Sequence, residues 1–210
     1  MPSERTILLV LVGTNPAVIT RTVFSLTKES SNSIPDEIVA LTKSSGKEAI
    51  IKELFQSGVW DGMLKYLEIP PGKCAFSRDL SCIRVIPSLD AKSDNEEVSA
   101  SYYSESAADL MMESLRQFTE NQDTKLILTF DDGGGAMSVL AALAMSMLAR
   151  TQDKICHLGI NPPFDNFRLE PKFYYPSGII HKLADDSNIS SNEAKIQLRD
   201  IPFARIRHLF

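Results

Sequence analysis

The stretch LILTFDDGGGAMSVLAALAMSMLA, residues 126–149, decides the fold because an apolar run passes through three glycines into a second, longer apolar segment. A continuous apolar run before a glycine turn is typical of a strand buried on both faces of a parallel sheet. The segment after the glycines suits a buried helix and falls short of the ~20 residues that span a bilayer. We therefore predict a strand at 125–130 and a helix at 136–150, one β-α unit of an α/β fold.

The same succession of apolar runs and helical patterns extends over the first 160 residues. Strands are predicted at 6–12, 37–41, 82–88 and 154–160, and helices from Pro16 onward, at 47–56 and at 107–121. Asn15 is predicted to cap the first helix, and the acidic stretch 90–101 is predicted to be a loop. Apolar strands separated by helices predict a Rossmann-like, doubly wound, mostly parallel sheet.

The last fifty residues have a different composition, rich in proline and aromatic side chains. We predict that residues 1–160 form one Rossmann-like domain. Residues 161–210 are predicted to be an irregular C-terminal extension, with one or two short strands, that packs on the same domain.

Composition narrows the class of protein. The net charge of −5 argues against an interface for long nucleic acid, which usually has a basic face. Three cysteines without a CxxC spacing are typical of reduced thiols, so we expect a cytoplasmic protein with no membrane segment. The GxGxxG fingerprint and a Walker lysine are missing, and the three histidines are widely spaced, so no cofactor and no metal are expected.

Three polar loops should meet at the carboxyl edge of the predicted sheet, where open parallel sheets bind their ligands. Each loop precedes a helix, whose free N–H groups favour an anion. Their convergence favours a phosphate-bearing ligand. The loops consist of Gly13, Thr14 and Asn15; of Thr42, Lys43, Ser44, Ser45 and Gly46; and of Asp131, Asp132, Gly133, Gly134 and Gly135.

The paired aspartates Asp131 and Asp132 allow two interpretations. In the first, they act as a catalytic pair that binds a divalent metal or serves as acid and base. Alternatively, an aspartate at this turn caps the following helix, and we favour this second interpretation because Asp prefers such positions.

Three segments carry a resemblance to a known family: ILLVLVGTNPAVITRTVFSL (7–26), PDEIVALTKSSG (35–46) and IPFARIRHLF (201–210). They resemble, in order, the first strand and helix, the second strand and the C-terminal Pro-Phe-x-x-Leu/Ile-Arg signature of stand-alone CRISPR-associated Rossmann-fold (CARF) proteins. These proteins are ring nucleases of type III CRISPR systems. The resemblance runs over nearly the whole chain.

The resemblance implies a homodimer that binds a cyclic oligoadenylate, most often cyclic tetra-adenylate, and cleaves it to switch off the antiviral response. It implies metal-independent cleavage, in which a ribose 2′-hydroxyl attacks its own phosphate and gives a 2′,3′-cyclic phosphate. Thr14, Asn15 and Lys43 would be the catalytic residues. The residues that would line the ligand are Gly13, Thr42, Ser44, Ser45, Asp131, Asp132, Gly133, Gly134, Gly135 and Met137. The alternatives are a non-catalytic module that senses or sequesters a cyclic oligoadenylate or another nucleotide, and an interaction subunit with a decayed pocket.

The chain departs from the family in the loop after the fourth strand. Where the family usually has Gly-Gly-Arg-Lys-Thr-Met, this sequence has glycines, Ala136 and Met137, so the basic pair is missing. Each such cation contributes about 1.5–3 kcal/mol when it donates to phosphate. The lost charge would have to come from Lys43, Arg21 or a C-terminal arginine.

Overall fold

The structure, a computed structural model, describes residues 5–30, 33–87, 96–131, 135–166 and 169–209. The helices are α1 (Ala17–Glu29), α2 (Ser44–Ile50), α3 (Val59–Tyr66), α4 (Glu96–Glu120) and α5 (Gly135–Leu148), and a π-helical turn, Ile51–Gln56, continues α2. The strands are β1 (Arg5–Val12), β2 (Glu37–Thr42), β3 (Ile83–Val85), β4 (Thr124–Phe130), β5 (Lys154–Ile160), β6 (Ile180–Lys182), β7 (Asn188–Ser190) and β8 (Ile196–Asp200).

Six strands form the main sheet in the order β3-β2-β1-β4-β5-β8. Strands β3, β2, β1, β4 and β5 run parallel to one another, and β8 is antiparallel to β5. The chain winds outward from β1 through β2 and β3, and then returns to the other side of β1 as β4. The strand order therefore reverses between β1 and β4, and the predicted Rossmann-like, mostly parallel sheet is confirmed.

The apolar runs form central strands because both faces of the sheet are covered. In β1, Leu8 and Val10 face one core, while Leu9 and Leu11 face the other. The first core contains residues of α1, the π-helical turn and α3; the second contains residues of α4 and α5. Every residue of β1 after Arg5 is buried, which explains why this strand shows no polar alternation.

The last part of the chain has a small core of its own. Phe164, Leu169 and Phe173 are buried together there, and β6 pairs with β7 beside them. The same part of the chain supplies β8 to the edge of the main sheet. Strand β8 falls within the C-terminal part of the chain for which one or two short strands are predicted.

The loop predicted at 90–101 is wrong for residues 96–101, which belong to α4; residues 90–95 lie outside the described residues. A polar segment lacks the apolar period on which the prediction depended, although its glutamates suit a first helical turn. The helix predicted at 47–56 begins earlier, at Ser44, and its second half is π-helical. In the described part of the chain, no helix is both long and apolar enough to span a membrane.

Candidate functional site

The three predicted loops follow strands that end at one edge of the sheet. Val12 lies opposite Thr42 in the pairing of β1 with β2, and Val10 lies opposite Thr129 in the pairing of β1 with β4. Neighbouring strands are about 4.8 Å apart, so the ends of β2 and β4 flank β1 roughly 10 Å from each other. The structure therefore brings together the ends of the three strands that precede these loops, where the strand order reverses.

The loop from β1 to α1 offers both backbone and side-chain groups. Gly13 and Thr14 are exposed, and Asn15 is half-buried. Asn15 Oδ1 accepts a hydrogen bond from the Ala17 N–H at 3.3 Å, as expected of a capping residue. Pro16 already has helical dihedral angles, with φ −74° and ψ −5°. The predicted start of α1 is therefore correct to within one residue.

At the loop from β2 to α2, one buried residue is followed by three exposed ones. Thr42 is 0% exposed, and its hydroxyl donates to the Val12 carbonyl at 2.7 Å. The hydroxyl thus ties the end of β2 to the end of β1, beneath the loops. Lys43, Ser44 and Ser45 are exposed at the start of α2, and they are the groups of this loop that a bound ligand can reach.

Gly46 makes a close contact under the same loops. A Cβ at this position would lie 1.9 Å from Thr42 Oγ1 and 2.4 Å from the Gly13 carbonyl oxygen. Real Cβ atoms essentially never approach so closely, so only glycine allows α2 to pack against the loop after β1.

The loop from β4 to α5 is described only at its two ends. Asp131 is half-buried at the end of β4, and Gly135 begins α5 with φ +51°. That dihedral angle favours glycine. The predicted residues Asp132, Gly133 and Gly134 lie outside the described residues. Met137 is half-buried and packs against the core on the α4 and α5 side of the sheet.

Arg21, one of the residues considered as a replacement for the missing basic pair, is not available to a phosphate. Its side chain is 4% exposed, and Nη2 donates to the carbonyls of Phe164 at 3.2 Å and Phe173 at 2.8 Å. Burial lowers the pKa of Arg21 to about 10, although the charges of Asp131 and Asp165 act to raise it. Arg21 therefore ties α1 to the C-terminal part of the chain.

Two of the C-terminal arginines, Arg205 and Arg207, are also committed elsewhere. Arg207 donates to the Thr119 and Leu148 carbonyls, both at 3.0 Å, in the last turns of α4 and α5. Arg205 donates to the carbonyls of Arg150 and Asp153. These helix ends precede β4 and β5, so both arginines lie at the opposite edge of the sheet. The signature Pro-Phe-x-x-Ile-Arg caps helices in this chain. Lys43, by contrast, is exposed at the start of α2, at the carboxyl edge of the sheet.

The described residues offer no obvious metal centre or reactive thiol. No group of three or more His, Cys, Asp or Glu side chains is placed to hold a metal ion in the described part of the chain. Burial raises the pKa of Cys74 to about 12, and burial with a hydrogen bond to Asp200 does the same for Cys156. Thiols with so high a pKa are poor nucleophiles near neutral pH.

The fold and the edge just described define the class: an α/β protein with a Rossmann-like, mostly parallel sheet whose strand order reverses between β1 and β4. The chain belongs to the family described as CRISPR-associated protein NE0113, whose model matches residues 15–210. No curated protein and no solved structure matches the chain significantly.

Two residues with a role at this edge were missed or misjudged from the sequence. From the sequence, Gly46 is only the last residue of a polar loop, and Arg21 is only one possible source of positive charge. A glycine just inside a helix gave a weak signal, because such a glycine costs stability unless a close contact requires it. The sequence held no signal for the carbonyls that Arg21 binds, which come from more than 140 residues away.

Proposed function

We propose that this CRISPR-associated protein is a ring nuclease, which binds a cyclic oligoadenylate in the cytoplasm and cleaves it without a metal. Cyclic tetra-adenylate is the favoured ligand. The observation that carries the proposal is the convergence of three polar loops at the reversal point of the sheet, in a chain of a CRISPR-associated family.

The exposed groups at this edge suit a compact, phosphate-rich ring. Backbone N–H groups and hydroxyls of Thr14, Ser44 and Ser45 would donate to phosphate oxygens. Lys43 would supply positive charge, since it is exposed at the start of α2 beside these hydroxyls. An acidic protein with a net charge of −5 can hold such a ligand in a local site, where a groove for long RNA would be unfavourable.

The proposed chemistry asks the protein for position and charge rather than for a nucleophile. A ribose 2′-oxygen attacks the adjacent phosphorus, the 5′-oxygen leaves, and the products are a 2′,3′-cyclic phosphate and a 5′-hydroxyl. Thr14 and Asn15 would orient the ribose and phosphate in line, and Lys43 would stabilise the charge that develops on the phosphate. Alignment and electrostatic stabilisation of this kind supply most of the rate in many enzymes.

A second copy of the chain would complete the site. Helix α5, which begins at the third loop, exposes Val139 to 70% and Leu143 to 59%, one helical turn apart. Apolar side chains on the outer surface of a helix next to a ligand site suit an interface with a partner. A two-fold dimer across α5 would place two sets of loops around one ring.

Chromatography of the reaction products tests the proposal. Purified protein at catalytic concentration is incubated with cyclic tri-, tetra- and hexa-adenylate, with and without EDTA. We expect linear products with 2′,3′-cyclic phosphate ends in both conditions. Tight binding without turnover would favour the sensor, and neither binding nor turnover would favour an interaction subunit. Activity that is lost with EDTA and with Asp131→Asn would contradict the metal-free mechanism.

Lys43→Ala probes the phosphate contacts. We expect it to weaken binding roughly tenfold to a hundredfold, as for one lost charge-assisted hydrogen bond. Lys65→Ala, which removes an exposed lysine of α3, is the matched control. Equal affinity of the two variants for the ligand would show that Lys43 does not contact the phosphates. We also expect Lys43→Ala to weaken binding more than Asp132→Ala does.

A further inference from the structure

The contact between Gly46 and the loop after β1 has a consequence for the direction of a backbone N–H. The Gly13 carbonyl oxygen lies 2.4 Å from the position of a Cβ on residue 46, so this carbonyl packs directly against α2. Thr42 packs at the same place, because its hydroxyl oxygen lies 1.9 Å from the Cβ position on residue 46. The same hydroxyl donates to the Val12 carbonyl. Two strand ends and one helix therefore fix the peptide that joins Gly13 to Thr14.

A planar trans peptide directs its N–H to the side opposite its carbonyl. Helix α2 follows β2, on one side of β1, whereas β4 pairs with the other side of β1. With the Gly13 carbonyl against α2, the N–H of Thr14 is directed away from α2. The Thr14 N–H is then a donor of an exposed loop, since Gly13 and Thr14 are both exposed to solvent.

We propose that Gly46 is a positioning residue: its bare Cα lets α2 hold the Gly13 carbonyl, so that the Thr14 N–H is presented to a phosphate oxygen of the ligand. This inference rests on the proposed function for the identity of the ligand. It deepens that function by naming one backbone donor and the residue that aims it. Gly46 itself does not touch the ligand.

Gly46→Ala tests the inference, with Gly62→Ala as the matched control. A Cβ on Gly62, in α3, meets its nearest atom, the Tyr175 hydroxyl oxygen, at an ordinary 3.6 Å. In ¹⁵N-labelled protein without ligand, we expect Gly46→Ala to shift the amide resonances of Gly13, Thr14 and Asn15, and Gly62→Ala to leave them in place. With cyclic tetra-adenylate, we expect Gly46→Ala to raise the Kd roughly tenfold to a hundredfold.

A double variant keeps the test sharp if Gly46→Ala folds poorly. Thr42→Ala removes the hydroxyl at 1.9 Å but leaves the Gly13 carbonyl at 2.4 Å. Relative to Thr42→Ala alone, the double variant Thr42→Ala/Gly46→Ala should still shift the three amides and weaken binding. Binding equal to that of Thr42→Ala, or unshifted amides, would overturn the inference. If the wild-type protein binds no cyclic oligoadenylate, the proposed function fails, and the amide shifts alone decide whether Gly46 sets the loop.

Discussion

Replacing Arg21 by methionine removes the charged tie between α1 and the C-terminal part of the chain while keeping a side chain of similar length. Arg21 Nη2 is the donor to both the Phe164 and Phe173 carbonyls, and the guanidinium lies 5.1 Å from the centre of the Phe173 ring. Both phenylalanines are buried in the small C-terminal core. The substitution therefore leaves two carbonyls beside this core without the donor they now have.

The size of the effect follows from these contacts. A hydrogen bond from a charged group contributes about 1.5–3 kcal/mol, and the cation–π contact contributes about 0.5–2 kcal/mol. Burial of the guanidinium opposes both gains, and it is the main reason why the pKa of Arg21 falls to about 10. We expect a net loss of roughly 2–4 kcal/mol in the free energy of unfolding. For a protein of 210 residues, each kcal/mol lowers the Tm by about 2–4 °C.

Thermal unfolding of Arg21→Met and of the control Arg199→Met measures this loss. Arg199 is an exposed arginine of β8, bonded to the side chain of Gln197, so its replacement should change the Tm little. Limited proteolysis should then cut Arg21→Met first within residues 161–175, before the main sheet. An Arg21→Met variant as stable as Arg199→Met, or one that is cut first in the sheet, would refute the tie.

Three further predictions concern single groups. Burial opposes ionisation of Asp36, but the hydrogen bonds from Lys73 and the Thr6 N–H, with the charges of Lys73 and Arg5, together outweigh it and lower the pKa of Asp36. Because its pKa is lowered, the ionised carboxylate of Asp36 stabilises the fold above pH ~4, and this stabilisation is lost on acidification. Asp36→Asn should therefore flatten the decline in stability between about pH 5 and pH 3, measured by urea unfolding. Cys156, with its pKa raised to about 12, should resist iodoacetamide at pH 8 in the native protein and react after unfolding; rapid native labelling, seen by mass spectrometry, would contradict this. Arg207→Ala should cost roughly 1 kcal/mol by uncapping two helices, and should leave the Kd for cyclic tetra-adenylate unchanged, unlike a phosphate contact.

The central part of the fold was predictable because burial on both faces leaves a plain signal. Strand β5 was predicted with its bounds, 154–160, and the helix after the glycine loop was placed to within two residues at each end. The beginning of α4 was not predictable by the same reasoning, because the stretch around Glu96 is polar and shows no apolar period. Apolar periodicity detects the faces that pack, and it does not detect polar helical turns.

The location of the candidate site was predictable from the sequence, but the contacts of its side chains were not. Parallel topology alone puts the loops after β1, β2 and β4 at one edge. Whether Thr42 faces that edge or the layer beneath it depends on hydrogen bonding to a neighbouring strand. Arg21 illustrates the same limit, since its partners lie in a distant part of the chain.

The position of β8 has a consequence for how the protein is made. Residues 196–200 leave the ribosome after every other strand that the structure describes, yet they cover the edge of β5. Until then β5 presents unpaired N–H and C=O groups, and an open apolar edge can pair with another nascent chain. Synthesis of β8 therefore closes the sheet, and slow translation of residues 196–200 would lengthen the time during which the edge of β5 can aggregate.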